Sequence, residues 1–304
     1  MKILLTNDDG YESIQIQTLK QVLRESGFSV TLVAPVSNQS WGGTTLQASA
    51  KQTKLVSRGE DEYSLECLDV IFKDTGLPWP ASPVQCYIVG EEILPKLDIV
   101  VSGMNIGQNT EGSSLFSGTL GAVYAAISRV IGNNSVPGIA ISLGEYANEK
   151  RIMEGAKFTV NLLNYLKSKN KKLLPKGIGL NVNIPGGYPN GDQIKIKGVS
   201  INRAGGIYNI PGVGDDYFKV VSREGDIFTT DCVNRPPAKD ICYSDNSDLN
   251  KGYITIVPIV SDTTANINDV KEVCKLLDDI LTKKCFCCNL NSLKNSVASE
   301  LRKK

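Results

Sequence analysis

With 304 residues, 41% of them hydrophobic and 21% charged, the chain is long enough to bury a sizeable core in one large domain or two modest ones. A formal net charge of +1 and a pI near 7.4 give no field that would gather a nucleic-acid polymer or an anionic membrane, so any anionic ligand must be held locally. The chain contains no histidine, which excludes phosphohistidine chemistry, a histidine general base and the commonest transition-metal ligand.

Lys2 to Thr6 is a short apolar run ending in a polar Asp-Asp-Gly turn, the pattern of a buried parallel strand. From about Ile14 to Ser26, Ile16, Leu19, Val22 and Leu23 share one helical face, and Gly27 supplies the stop. Ser29 to Val33 is the next strand, closed by Ala34-Pro35, so a β-α-β unit opens the chain. Thr44 to Pro95 mixes short alternating runs with Gly and Pro and yields no assigned element. Asp98 to Val101 is a strand ending in Ser102-Gly103, and Gly118 to Ile131 has helical spacing. Gly138 to Leu143 is again a strand. A helix from about Ala147 to Lys167 leads into a strand from Ile178 to Ile184, stopped by Pro185-Gly186-Gly187. This alternation predicts an α/β fold, a Rossmann-like doubly wound, mostly parallel sheet with helices on both faces.

Beyond Pro185 short β-like stretches and Gly/Pro turns predict hairpins, followed by a strand over Tyr253 to Val260 and a helix over Val270 to Thr282. Residues 1–186 are therefore read as an α/β core and 187–304 as a projecting C-terminal extension of the same functional unit. The apolar stretch before Thr6 is too short for a signal-peptide core and no later run approaches a membrane span, so the expected location is the cytoplasm. The eight cysteines lack the paired spacing of a zinc site and are expected to be free thiols.

In an open α/β sheet, ligands bind beyond the carboxyl ends of the strands, where strand order reverses. Three polar clusters lie at such ends: Asn7-Asp8-Asp9, Ser37 to Ser40, and Ser102 to Asn109. Adjacent Asp8 and Asp9 at the mouth of a buried strand repel each other and are costly to desolvate unless a cation or donors sit between them. Oxygen ligands without histidine suit Mg²⁺ or Mn²⁺. A turn followed by a helix N-cap accounts comfortably for one aspartate and less well for two. Ser113 to Thr119 precedes an apolar helix and offers hydroxyls and amides, either as a plain cap or as a phosphate cradle. A cation beside a phosphate cradle implies metal-assisted phosphate-ester hydrolysis, with Asp8, Asp9 or a metal-bound hydroxide handling the proton.

These residues resemble the SurE family of survival-protein nucleotidases, whose branches are also called 5′/3′-nucleotidases or acid phosphatases. The resemblance rests on Leu4-Leu5-Thr6-Asn7-Asp8-Asp9-Gly10, Val33-Ala34-Pro35 with Gln39-Ser40, Val101-Ser102-Gly103-Met104-Asn105 with Gly107 and Asn109, and Ser117-Gly118-Thr119. Leu180 to Pro185 and Gly252-Tyr253 through Ala265 add to it. It implies that Asp8, Asp9, Ser40 and Asn105 ligate one divalent cation per subunit, Mg²⁺ or Mn²⁺. It also implies that Asn109, Ser117, Gly118 and Thr119 line the phosphate pocket; Asn7 and Gly10 are grouped with them as substrate-binding positions. A nucleoside monophosphate is the implied substrate and a homodimer or homotetramer the implied assembly. The alternatives are a broader acid phosphatase, a non-catalytic nucleotide-binding module, and an aspartyl-phosphate enzyme, whose motif would space its aspartates by one residue. The chain departs from the family pattern at Ser13-Ile14-Gln15-Ile16 and at Gln85, where an acid is usual.

Overall fold

The structure is a computed structural model and describes residues 1–46, 52–71, 78–94, 96–128, 135–204, 216–224, 227–234 and 244–261. The opening unit is β1 (Lys2–Thr6), α1 (Ile14–Glu25) and β2 (Ser29–Pro35), as expected. The segment left unassigned in sequence holds β3 (Thr53–Gly59), β4 (Glu62–Ile71), β5 (Pro78–Pro80) and α2 (Pro83–Ile93). β6 (Ile99–Ile106), a 3₁₀ turn at Glu111–Phe116 and α3 (Gly118–Ile127) come next, then β7 (Gly138–Leu143), α4 (Glu149–Lys169) and β8 (Ile178–Ile184). Beyond them lie β9 (Gly198–Ile201), β10 (Asp216–Glu224), β11 (Ile227–Asn234), α5 (Asp245–Asn250) and β12 (Tyr253–Val260).

One sheet runs in the order β3-β4-β2-β1-β6-β7-β8-β12-β9, with β5 added on β4. From β2 to β8 every pairing is parallel, while β3 on β4 and β12 on β8 are antiparallel. β10 and β11 form a separate antiparallel pair. The chain leaves β1 toward β2 on one side and later places β6 on the other, so strand order reverses between β1 and β6. That is where a crevice opens at the carboxyl ends of the strands.

Helices cover both faces, which is why the central strands are nearly continuous apolar runs rather than alternating ones. Ile3 and Leu5 pack with Ile16, Leu19 and Leu23 of α1 and with Ile152, Ala156 and Val160 of α4. Leu4, pointing the opposite way, packs with Val84, Cys86 and Tyr87 of α2 and with Ala125 of α3. Met1–Ser261 form one compact unit, and both β9 and β12 belong to the sheet of the core.

β6 outruns the sequence reading, which ended it at Val101. Ser102-Gly103 has the look of a turn, yet Gly103 at φ +126 lies so close to β7 that a Cβ would run into the Ile141 carbonyl oxygen, and the ladder shifts register there and continues to Ile106. The departure at Gln85 preserves a cap. Gln85 Oε1 accepts from Ser82 N at 2.9 Å while Ser82 Oγ accepts from Gln85 N at 3.2 Å, opening α2 with a reciprocal box. Cys67 and Cys86 are buried thiols. The helix expected over Val270 to Thr282 and the Cys285–Cys288 cluster lie outside the described residues, and no helix among the described residues is long and apolar enough to cross a membrane.

Candidate active site

The turn after β1 is built by the residues flanking the two acids. Asn7 is fully buried, and its Nδ2 donates to Gly10 O at 2.9 Å and to Ser13 Oγ at 3.0 Å. Gly10 stands at φ +95 with the Ser37 backbone 3.2 Å from where a Cβ would be, so glycine is the residue that fits. Asn7 and Gly10 thus shape the loop and lie off the cavity wall, and Ser13, one of the departures, supplies an acceptor that ties the loop to α1.

Asp8 is 3% exposed. Thr119 Oγ1 donates to Asp8 Oδ1 at 2.6 Å, and the amides of Gly118 and Thr119 in the first turn of α3 also stabilise the carboxylate. Gly118 permits this approach: a Cβ there would lie 2.8 Å from the Asp8 Cβ. Burial nevertheless dominates and holds the Asp8 carboxyl above its ordinary range. Asp9 is partly buried, and its Oδ2 accepts from Ile106 N at 3.0 Å. Burial, then the neighbouring Asp8 charge, push the Asp9 carboxyl up to about 7.

Asp8 forms part of the wall of a cavity of about 220 Å³ that also includes Ser40, Asn105, Asn109 and Ser117. The structure therefore brings together predicted residues from four separate stretches of chain. Gln39 N donates to Asp8 O at 2.6 Å, holding the loop that carries Ser40 against the acids. Asn105 Nδ2 donates to Ile106 O at 3.1 Å and Gly107 O at 2.7 Å, which fixes the amide so that its carbonyl oxygen is left as a ligand atom. Ser117 Oγ caps α3 by accepting from Leu120 N at 3.2 Å. Gly118 and Thr119 stand behind the wall and serve Asp8.

Asn109 is clamped from behind. Its N donates to Asn183 Oδ1 at 2.7 Å, its carbonyl accepts from Asn181 Nδ2 at 2.8 Å and Asn183 Nδ2 at 3.1 Å, and its Nδ2 donates to Ser142 Oγ at 2.9 Å. Asn181 and Asn183 had no role in the sequence reading. Their signal was present: two amides at i and i+2 on a buried, otherwise apolar strand need partners on one face. Ile106, Gln108, Ser113 and Phe116 of the two expected clusters also line the wall, and Trp41, Thr110 and Glu145 are further wall residues that sequence reasoning did not single out.

The donor set fits a hard divalent cation. Among the described residues no group of three or more His, Cys, Asp or Glu comes together, so an ion here would rest on two carboxylates, the Ser40 hydroxyl, the Asn105 carbonyl and water. Mg²⁺ and Mn²⁺ accept such a set, with one or two carboxylates and retained waters, whereas Ca²⁺ asks for more protein oxygens. Two acids displaced upward by burial, Asp9 also by the Asp8 charge, are groups that a dication would return to the ionised form.

The family model described as "Survival protein SurE" matches residues 3–208. The chain is 31% identical over 273 residues to "5'-nucleotidase SurE" of Christiangramia forsetii, covering 87% of this chain and 92% of that protein. It is 30% identical over 284 residues to "5'-nucleotidase SurE" of Campylobacter jejuni, covering 91% and 99%. In fold it is similar to the crystal structure of SurE protein from Aquifex aeolicus, with a TM-score of 0.67 at 24% identity over 91% of this chain and 99% of that one. The chain belongs to the SurE family.

Proposed function

We propose that the protein is a divalent-cation-dependent phosphomonoesterase that removes phosphate from nucleoside monophosphates, at the 5′ or 3′ position. The observation that carries this reading is the Asp8-Asp9 pair at the reversal of strand order, with Asp8 backed by the first turn of α3 and lining a polar cavity and Asp9 held beside it by Ile106 N–H. Relatives named 5'-nucleotidase support the substrate class.

Asp8, Asp9, Ser40 and Asn105 would hold the cation. When bound, such an ion supplies positive charge to a phosphoryl oxygen and makes a water more acidic. Asn109 and Ser117 line the space for the phosphate, and the Asn181–Asn183 clamp keeps Asn109 in place. With no histidine in the chain, carboxylates are the side chains best suited to move the proton. Ile106 N–H engages Asp9 Oδ2, leaving Oδ1 to face either the cation or, as proton acceptor, an attacking water. Thr119 and the α3 amides hold Asp8 in one orientation throughout.

The reading extends to a homodimer or homotetramer acting in the cytoplasm on a small phosphomonoester. The exposed Val220, Val221 and Ile227 of the β10–β11 pair support association, and the net charge of +1 supports a small substrate over a polymer. Phosphate release across a panel of 5′- and 3′-nucleoside monophosphates and simple phosphomonoesters tests the reading. Preference for nucleotides is expected; equal release from every ester would mark a broad acid phosphatase, and binding without release would mark a nucleotide-sensing module.

A further inference from the structure

Beside the acids the cavity wall turns aromatic. Trp41 follows Ser40 directly, at φ 66, a conformation that a bulky residue adopts only when its surroundings hold it there. Its ring centroid lies 6.5 Å from that of Phe116, at 44°. Both are cavity-wall residues, yet Trp41 is 51% and Phe116 57% exposed, so the pair presents apolar faces to solvent at the mouth of an otherwise polar site. Leaving two large aromatic side chains half in water forgoes the stabilisation that burial would give.

The two rings belong to segments tied to one another and to the acids. Gly43 N donates to Phe116 O at 3.0 Å, and Gln39 N donates to Asp8 O at 2.6 Å. Gly121 of α3 has no Cβ, and one there would run into the Gly43 carbonyl oxygen, so the loop bearing Trp41 rests directly on the helix whose first turn holds Asp8. The backbone segments that carry the rings are therefore fixed relative to the reacting centre. The cavity, at about 220 Å³, is smaller than the roughly 300–1,000 Å³ that encloses a drug-sized ligand. A nucleotide whose phosphate lies at Asp8 must let part of itself project over the rim.

We propose that Trp41 and Phe116 are the nucleobase platform of this site, determining specificity by stacking a flat aromatic base while the phosphate lies at the acid pair. The proposal rests on the nucleotidase reading above and adds to it the residues that tell a nucleotide from a base-free phosphomonoester. Stacking tolerates every base but gains with ring area, so purine nucleotides are preferred to pyrimidine ones.

The test compares AMP with ribose 5-phosphate, which lacks the base. In Trp41→Ala the ratio of kcat/KM for AMP to that for ribose 5-phosphate falls about 5- to 100-fold, mainly through KM, and Trp41→Phe restores most of it. A second readout needs no turnover: in a Trp79→Phe protein, which leaves Trp41 as the sole tryptophan, titration with adenosine quenches the indole emission. An unchanged ratio in Trp41→Ala together with no quench overturns the platform while leaving the phosphatase reading intact. Absence of phosphate release from both esters overturns the phosphatase reading instead, and the adenosine titration then decides the platform alone.

Discussion

Thr119 Oγ1 donates to Asp8 Oδ1 at 2.6 Å, joining the first turn of α3 to the end of β1 across 111 residues of chain. The hydroxyl is fully buried, so the bond is not exchanged for water. Thr119→Val keeps the shape and removes the donor from a buried carboxylate. The expected loss is about 1–3 kcal/mol of stabilisation at Asp8, read as a fall of about 10- to 100-fold in kcat/KM for AMP. Thr119→Ser, which keeps the hydroxyl, retains most activity; equal losses in both variants would show that the hydrogen bond is not what matters.

Gly118→Ala separates geometry from chemistry. The added methyl would sit 2.8 Å from Asp8 Cβ and 3.0 Å from Asp8 Oδ2, closer than packing allows, so α3 and the acid must move apart. A loss of at least about tenfold in kcat is expected for a misplacement of this size, with unchanged far-ultraviolet circular dichroism. Wild-type turnover from this variant would mean that the approach of α3 to Asp8 has no catalytic consequence.

The acid pair sets a sign for pH dependence. Asp9 is raised from 3.8 to about 7 by burial and then by Asp8, and burial shifts Asp8 in the same direction. A carboxyl raised in the fold contributes stability that is fully present below pH about 3.8 and lost as pH rises through about 7. Cation-free wild-type protein therefore loses melting temperature relative to Asp9→Asn between pH 5 and pH 8. Mg²⁺ or Mn²⁺ restores more at pH 8 than at pH 5, because it binds the ionised pair. A wild-type minus Asp9→Asn difference that stays flat with pH would remove the basis for this expectation.

Asn183→Leu tests the clamp behind the cavity. It leaves the buried Asn109 N–H without its 2.7 Å acceptor, with an expected cost of about 1–3 kcal/mol in denaturant unfolding. KM for AMP should rise as Asn109 loosens. A variant with unaltered stability and KM would show that Asn181 alone suffices.

The strands most legible in sequence are those buried on both faces, together with β12, which exposes Pro258 and Val260. β1, β7, β8 and β12 read as short apolar runs, and α1 as one apolar stripe ending at Gly27, whose φ of +82 fits the stop. β3 at the sheet edge and β4 beside it escaped because strands with much exposed surface carry only weak alternation, and the end of β6 because a glycine placed for close packing looks like one placed for a turn. Asp8, Ser40, Asn105, Asn109 and Ser117 could be gathered from sequence because each sits at or just beyond a strand end near the β1/β6 reversal, or at a helix start facing it. The partnership of Asn109 with Asn181 and Asn183, and the meeting of Trp41 with Phe116, depend on contacts across some 70 residues that no local pattern encodes.

The most direct test is phosphate release from AMP by protein stripped with chelator, before and after addition of Mg²⁺ or Mn²⁺, for wild type and Asp9→Asn. No release without cation, recovery on its addition in wild type, and near-complete loss in Asp9→Asn are expected. Full activity after thorough chelation would contradict a cation held by Asp8 and Asp9.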